Sequence, residues 1–456
     1  MERGAPGRIR TADAGLRTAS LYPLSYGGAA DIVPPVPRLP VPTPAERSRT
    51  MHRMTTDVIV VGGGIVGCAT AYYCARDGMN VTLLEQQTVG YGASGRNVGF
   101  LWLHCRTAGF ALDIARAGRN LYPQLLEELP GGFEFRQSGG LMYFTTPEQG
   151  AVFEEFVAAR KSDGLDMTLI DGAEVRRLVP PIREDVLGAS YCSDDAQIVT
   201  STVVEAFARG ARAEGATIRE GVTVERLVVS GDRVEAVETD SGRFSGAAIV
   251  IAAGAWSTAL LAGVDVDVPI GGERLQVAMT GPQPFWIEPL VFGPNATKQY
   301  ALFRDLPSWD PAAFTTPGQD RDGLVLLPLL VQRASGELSV GCATDYPGEL
   351  DANPTLAGLA QIADGLTADF PSLRHVPITR AWAGLLPFTS DQAPVIDEVA
   401  PGLFVGAGHT FGNTAGPITG RVLSQLIGGR EPDFDISSCR FGRPLDPIAV
   451  GAPTHW

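Results

Sequence analysis

The sequence predicts an α/β protein in two parts, a parallel-sheet domain gathered from discontinuous segments and an α+β domain on an antiparallel sheet. Three observations predict it. A β-branched strand, a glycine turn and a helix follow one another over residues 57–73. The same order of strand, glycines and helix returns over residues 403–426. Between the two, strand-like runs separated by turn residues alternate with a few helices, the mixture expected of an antiparallel sheet with a helical cover.

The opening block reads Asp57-Val58-Ile59-Val60-Val61-Gly62-Gly63-Gly64-Ile65-Val66-Gly67. Its Val and Ile run is too dense for a surface strand, it stops at Gly62, and apolar spacing of helical type begins at Ile65. Gly62 permits the tight turn, Gly64 lets the backbone approach a pyrophosphate on the helix that Ile65 and Val66 open, and Gly67 lets helix and strand pack closely. A second apolar run, 81–84, ends on Glu85 with Gln86 beside it, 18 residues after Gly67, where a carboxylate accepts from a ribose hydroxyl. Strand before, helix after and acid at that distance make this a Rossmann-like dinucleotide-binding unit.

The chain of 456 residues is 45% hydrophobic and 19% charged, ordinary for a soluble globular protein with material for two domains. No apolar run approaches the roughly 18 residues needed to span a bilayer. The net charge is −15, and residues 1–53 carry eight Arg against four acids, which leaves 28 Lys and Arg against 47 Asp and Glu in the rest. That surplus of acid argues against nucleic acid and anionic lipid as partners. Six dispersed Cys without a C-x-x-C pair and no signal peptide predict reduced thiols in the cytoplasm, and five scattered His predict no metal site. Residues 1–50 hold eight of the 34 prolines and almost no periodic apolar pattern, so a disordered leader over 1–53 is expected, with translation starting at Met51 or Met54.

After Glu85, residues 90–99 form a second glycine-rich turn. Its Ser94, Gly95, Arg96 and Asn97 bring a hydroxyl, a guanidinium and an amide beside the first turn, where such a loop closes over a diphosphate or a ring. The spacing of Phe110, Ile114, Leu121, Leu125 and Leu126 predicts a helix over 108–129, stopped by Pro130-Gly131-Gly132. Residues 133–144 read as two short strands, and 147–160 and 173–178 as helices. A helix from Thr200 ends at Gly215, and strands at 217–220, 222–229, 233–239 and 244–251 follow as a meander with turn residues at each bend. The last of them ends in Ala252-Ala253-Gly254-Ala255-Trp256, a buried strand whose small tip lets something approach. Residues 275–279, 300–303, 324–327 and 338–341 are strand-like, and 356–370 a helix. The chain returns through 382–397 to Leu403 and then Gly408-His409-Thr410-Phe411-Gly412-Asn413, opening a helix with Pro417 in its first turn.

With these blocks in order the chain resembles the D-amino acid oxidase-like FAD oxidoreductases, the group of glycine oxidase and sarcosine oxidase, over about residues 55–443. Three blocks carry the resemblance: the first glycine turn with Glu85, the strand end at 252–256, and 406–416 entering the last helix. NAD-dependent Rossmann enzymes lack the third, and aromatic hydroxylases of related fold usually have Gly-Asp where this chain has Gly408-His409. The resemblance implies an FAD-binding Rossmann-like domain of glutathione reductase type from 54–107, 196–265 and 376–445, a substrate domain from 108–195 and 266–375, and a tail at 446–456. It implies FAD, held by Gly62, Gly64, Ile65, Val66, Gly67, Glu85, Gln86, Ser94, Gly95, Arg96, Asn97, Val224, Ala253, Gly254, Trp256, Gly408, His409, Gly412, Asn413 and Thr414. Independently of it, free N–H groups at Gly412, Asn413 and Thr414, on the positive end of a helix dipole, suit the negative charge a flavin gains on reduction.

In glycine oxidase-like members the Trp-x-Gly-Leu-x-Pro block, here 382–387, usually carries an Arg that grips the substrate carboxylate. This chain has Leu386 there, and in this it is similar to the β chain of heteromeric sarcosine oxidases. A buried carboxylate without a partner costs several kcal/mol, so either another Arg serves or the substrate lacks that group. Arg304 and Arg333, with Tyr300 and Tyr346 near in sequence, are the candidates. Monomeric sarcosine oxidase joins FAD to a Cys in the same neighbourhood; residues 383–388 contain none, so dissociable FAD is expected. The catalytic candidates are thus His409, Arg304, Arg333 and Tyr300, while His104 reads as structural and Lys298 is given no role. The implied function is oxidation of the C–N bond of a small primary or secondary amine or amino acid to an imine, by hydride transfer to FAD, with oxygen, a quinone or an electron-transfer partner as acceptor. A 2-hydroxy acid dehydrogenase of the same fold, or a flavin-holding subunit of a hetero-oligomer, is the alternative.

Overall fold

The opening strand, Met54–Val61, pairs in parallel with Val81–Glu85 on one side and Gly242–Ile251 on the other, as its two-faced apolar composition requires. This and the rest of the fold come from a computed structural model that describes residues 54–315, 320–321, 323–347 and 350–448, with side chains from residue 57. The expected leader, both candidate start residues' side chains and most of the tail lie outside the described residues. Thr217–Glu220 adds to the parallel set beside Val81–Glu85. On the other flank Gly242–Ile251 forks: its first half pairs antiparallel with Arg233–Thr239, its second half parallel with Leu403–Ala407. The meander read from the turn residues therefore has three strands, not four. Turn chemistry marks where a chain bends, but not which edge the next strand joins.

Helices Ile65–Arg76, Thr200–Ala213, Gly412–Ile427 and Phe110–Glu128 bury one continuous core with the parallel sheet, from Val58 and Val60 through Tyr73 and Phe207 to Ile418. Phe110–Glu128 lies in the segment grouped with the substrate part, yet it packs here, against the last helix. A Cβ on Gly118 would stand 1.6 Å from the Thr414 carbonyl oxygen, so only glycine permits this approach. The last helix begins at Gly412, which puts Pro417 in its second turn rather than its first. Proline cannot donate to the carbonyl four residues back, at Asn413. The Tyr122 hydroxyl donates to it instead, at 2.6 Å.

The second sheet runs in the order Ile378–Phe388, Gly271–Pro282, Glu337–Asp345, Val325–Gln332, Leu290–Phe292, Gly140–Phe144, Gly188–Cys192, Met167–Asp171. All its pairings are antiparallel except Leu290–Phe292 with Gly140–Phe144. Ile378–Phe388, assigned by position to the nucleotide-binding segments, is thus an edge strand of the other sheet. Residues 300–303, expected as a strand, form the helical turn Ala301–Arg304. Proline starts a helical turn just upstream, at Pro294–Gln299, and Tyr300 and Phe303 point into an aromatic core with Phe153, Phe156 and Phe314. Among the described residues no helix is long and apolar enough to cross a membrane, and all six cysteines are free and buried.

Candidate active site

The parallel strands end together at Val61, Glu85, Ile251 and Ala407, and a cavity of about 400 Å³ lies along those ends. Gly62 sits at φ +106°, and a Cβ there would meet the Ala252 carbonyl oxygen at 2.5 Å; at Gly67 it would meet the Gly62 carbonyl oxygen at 1.9 Å. The glycine turn is therefore set by close backbone approaches on both sides. Glu85 closes it: its Oε2 accepts from the Gly63 N–H at 2.7 Å and its Oε1 from the Gln87 N–H at 2.8 Å. Ser94 Oγ accepts from the Ile65 N–H at 3.0 Å, tying the second glycine loop to the first helix.

Two helix N-termini open into this one cavity, at Ile65 and at Gly412. Neither N-cap residue, Gly64 or Phe411, supplies a side-chain cap, and the N–H groups of Gly64, Val66, Gly412 and Asn413 have no acceptor among the described residues. Among the described residues the wall carries no Lys or Arg. Backbone donors and helix dipoles are thus the positive features, one set at each end, which fits a group with a diphosphate toward one end and an electron-accepting ring toward the other.

Of the expected cofactor residues, Gly62, Gly64, Ile65, Val66, Glu85, Gln86, Ser94, Asn97, Val224, Ala253, Gly254, Trp256, Gly408, His409, Gly412 and Asn413 line this cavity. Gly67, Gly95, Arg96 and Thr414 do not. Gly67 and Gly95 are packing positions, the latter with the Gly90 carbonyl 2.0 Å from where a Cβ would be. Arg96 donates to the carbonyls of Tyr91 at 3.0 Å and Ala383 at 3.2 Å and so clamps the loop to the strand Ile378–Phe388. The Thr414 N–H is spent on the Phe411 carbonyl at 3.1 Å, so it is not a third open donor. The Asn413 side chain is also engaged, donating to Asn97 Oδ1 at 2.7 Å.

A second, smaller cavity of about 60 Å³ adjoins the Gly412 end and shares Asn97, Leu386, Gly412 and Asn413 with the first. Its walls are largely apolar, from Val98, Phe100, Leu275, Val277, Leu329 and Phe411. Among the described residues no Asp, Glu or His lines it. Sequence reasoning missed Arg106 on this wall, where the other cation, Arg96, is bonded to backbone carbonyls. Arg106 is 2% exposed, its Nε and Nη1 have no hydrogen-bond partner, no carboxylate among the described residues forms a salt bridge with it, and its guanidinium carbon lies 2.8 Å from the centre of the Phe411 ring. Burial lowers its pKa to about 9, which leaves it charged at neutral pH. Thr410 on the same wall also has a buried hydroxyl without a partner. A charged residue closing the run 98–106, apolar but for His104, was the available signal.

The catalytic candidates fare differently. Arg304 is exposed and Arg333 half-buried beyond the end of Val325–Gln332, and neither lines either of these two cavities. Tyr300 is buried near enough to Arg106 for each to perturb the other's titration. Tyr346 stacks edge-on with Phe388, and Lys298 pairs with Asp320 at 2.6 Å. His409 lines the large cavity, but burial lowers its pKa to about 3, so it is neutral and is no acid. His104 is a satisfied core histidine, stacked on Trp102 and bonded to Asp195 at 3.1 Å and Ser190 at 2.8 Å. Cys192 places a ligand atom near that pair, within 4.8 Å, but the Asp195 carboxylate already accepts from the Leu103 N–H at 2.6 Å and the His104 ring.

Residues 57–426 match the family model described as FAD dependent oxidoreductase. The chain is 29% identical to glycine oxidase of Bacillus licheniformis over 388 residues, covering 83% of this chain and 94% of that protein. It is 26% identical to sarcosine oxidase subunit beta of Rhizobium meliloti, covering 85% and 88%. Among solved structures, glycine oxidase from Geobacillus kaustophilus superposes with a TM-score of 0.74 at 23% identity, over 86% of this chain and all of that one, a likeness of fold.

Proposed function

The chain belongs to the DAO family of FAD dependent oxidoreductases, with FAD as its cofactor, and on that premise we propose that it oxidises the C–N bond of a small primary or secondary amine or amino acid to an imine, bound FAD supplying a two-electron hydride acceptor. Water then releases ammonia or an alkylamine from the imine. The names of the relatives, glycine oxidase and sarcosine oxidase subunit beta, support the amine class. The observation that carries the choice is that, among the described residues, no Asp, Glu or His lines the small cavity. An amine that leaves its ammonium proton in solvent and binds neutral already holds the lone pair that forms the C=N bond as hydride leaves. A hydroxy acid must lose its O–H proton as well, and so calls for a general base that this wall does not offer.

The chain's own groups have three tasks in this reading. Gly64 and Val66 at the first helix would hold the diphosphate, and Glu85 would border the ribose. Gly412 and Asn413 would face the ring that takes up charge, where the helix dipole favours the reduced form. The apolar wall from Val98 to Phe411 would exclude water from the reacting carbon.

Leu386 favours a second reading, a flavin-holding subunit of a hetero-oligomer, since the sarcosine oxidase relative is itself named as a subunit. One experiment addresses both. The purified full chain is titrated anaerobically with sarcosine, D-amino acids, L-proline, polyamines and 2-hydroxy acids while its flavin band is followed, and air is then admitted. Bleaching by an amine with recovery in air is expected. Bleaching by a hydroxy acid alone would reverse the assignment, and bleaching by an amine without recovery would favour the subunit.

A further inference from the structure

We infer that Arg106, assisted by Thr410, is the anchor for a carboxylate on the substrate, entering from the segment after the second glycine loop instead of from the strand Ile378–Phe388. This rests on the amine-oxidation reading for what is bonded to the carboxylate, and on geometry alone for the anchor. The substrate class narrows accordingly, from amines in general to amino or alkylamino carboxylic acids.

The polar atoms on the wall of the small cavity that are buried without a partner are Arg106 Nε and Nη1 and Thr410 Oγ1. A guanidinium donates only, and a threonine hydroxyl is able to donate, so the pair complements an anion. A lone buried charge is costly to keep, and among the described residues Arg106 has the face of Phe411 and the nearby Tyr300 but no carboxylate in a salt bridge. A planar carboxylate meets a guanidinium fork in two parallel hydrogen bonds, and apolar walls from Leu275, Val277 and Leu329 strengthen them by lowering the local dielectric.

The backbone that carries Arg106 is braced on both sides by buried charge. The Asp195 carboxylate accepts from the N–H groups of Leu103 at 2.6 Å and His104 at 3.2 Å. Arg160 donates to the carbonyls of His104 at 3.2 Å and Arg106 at 2.6 Å. The anchor is therefore held ready before any substrate arrives. Leu386, half-buried on the wall shared by both cavities, then packs against the substrate body at the place from which the family's usual Arg is missing.

The test uses the FAD-loaded wild type, Arg106→Met, Arg106→Lys and Thr410→Val. Butyrate and its uncharged analogue butyramide are titrated against the flavin absorption band, and amino acids and their amides are compared as reductants. Wild type is expected to prefer butyrate by at least tenfold, and Arg106→Met to weaken butyrate by about 100-fold, the scale for removing one partner of a buried charge pair. Arg106→Lys is expected to fall between, and Arg106→Met to raise KM for the amino acid more than it lowers kcat. Equal butyrate affinity in wild type and Arg106→Met, at full FAD content, would overturn the anchor. If neither Arg106 variant retains FAD, Thr410→Val decides, a loss of about fivefold for butyrate supporting the anchor and no loss overturning it. Should no amine bleach the wild type while butyrate binding still depends on Arg106, the amine reading fails and the anchor stands. Should amino acids and their amides bleach the wild type equally well, the anchor fails and the amine reading stands.

Discussion

His409 has its protonation state set by burial and one neighbour. Thr419 donates its single hydroxyl hydrogen to the Ala415 carbonyl at 2.9 Å, so at 2.8 Å from His409 Nε2 it accepts, and the imidazole carries its hydrogen on Nε2. No charged group offsets the burial, and the pKa falls from 6.5 to about 3. Between those values the unfolded chain binds a proton that the folded chain refuses. The stability this residue contributes is therefore complete above pH 6.5 and declines as the pH falls, by up to about 1.4 kcal/mol per unit. Wild type is expected to lose thermal stability from pH 6.5 to 4.5 more steeply than His409→Asn, and parallel melting curves would contradict the burial assigned here. His104, also lowered by burial, leaves part of the slope in the variant.

The last helix is the element on which the site depends, and its position is decided by a neighbour far away in sequence. Phe110–Glu128 touches it at Gly118, and Tyr122 on the same helix supplies the hydrogen that Pro417 cannot. Gly118→Ala would put a methyl group 1.6 Å from the Thr414 carbonyl oxygen, so the two helices must separate and carry the open N–H groups of Gly412 and Asn413 with them. Overpacking of this kind costs about 1–3 kcal/mol. Lower FAD content per chain and a lower Tm are expected together. A variant with full FAD and an unchanged Tm would show that the helix start tolerates displacement.

Across the whole molecule, the large cavity lies on strand ends of the parallel sheet and the small one reaches the walls of the antiparallel sheet at Leu275, Val277 and Leu329. Among the described residues no cysteine lines the large cavity. Acid precipitation is accordingly expected to release the yellow colour into the supernatant, and colour retained on the pellet would reveal a covalent link. The Rossmann-like unit and most elements were legible in the sequence because each rests on neighbours a few residues apart: a glycine where φ is positive, β-branched runs in the sheet interior, apolar spacing along helices. The sequence by itself thus determined the glycine turn at residues 62–67, its Glu85 and the helix at Gly412. Tertiary structure alone decided which sheet received Ile378–Phe388, why Arg304 and Arg333 stand outside the site, and that Arg106 and Thr410 share one wall. Their meaning lies in missing partners, and whether a buried charge is paired depends on what every other segment brings within about 4 Å of it.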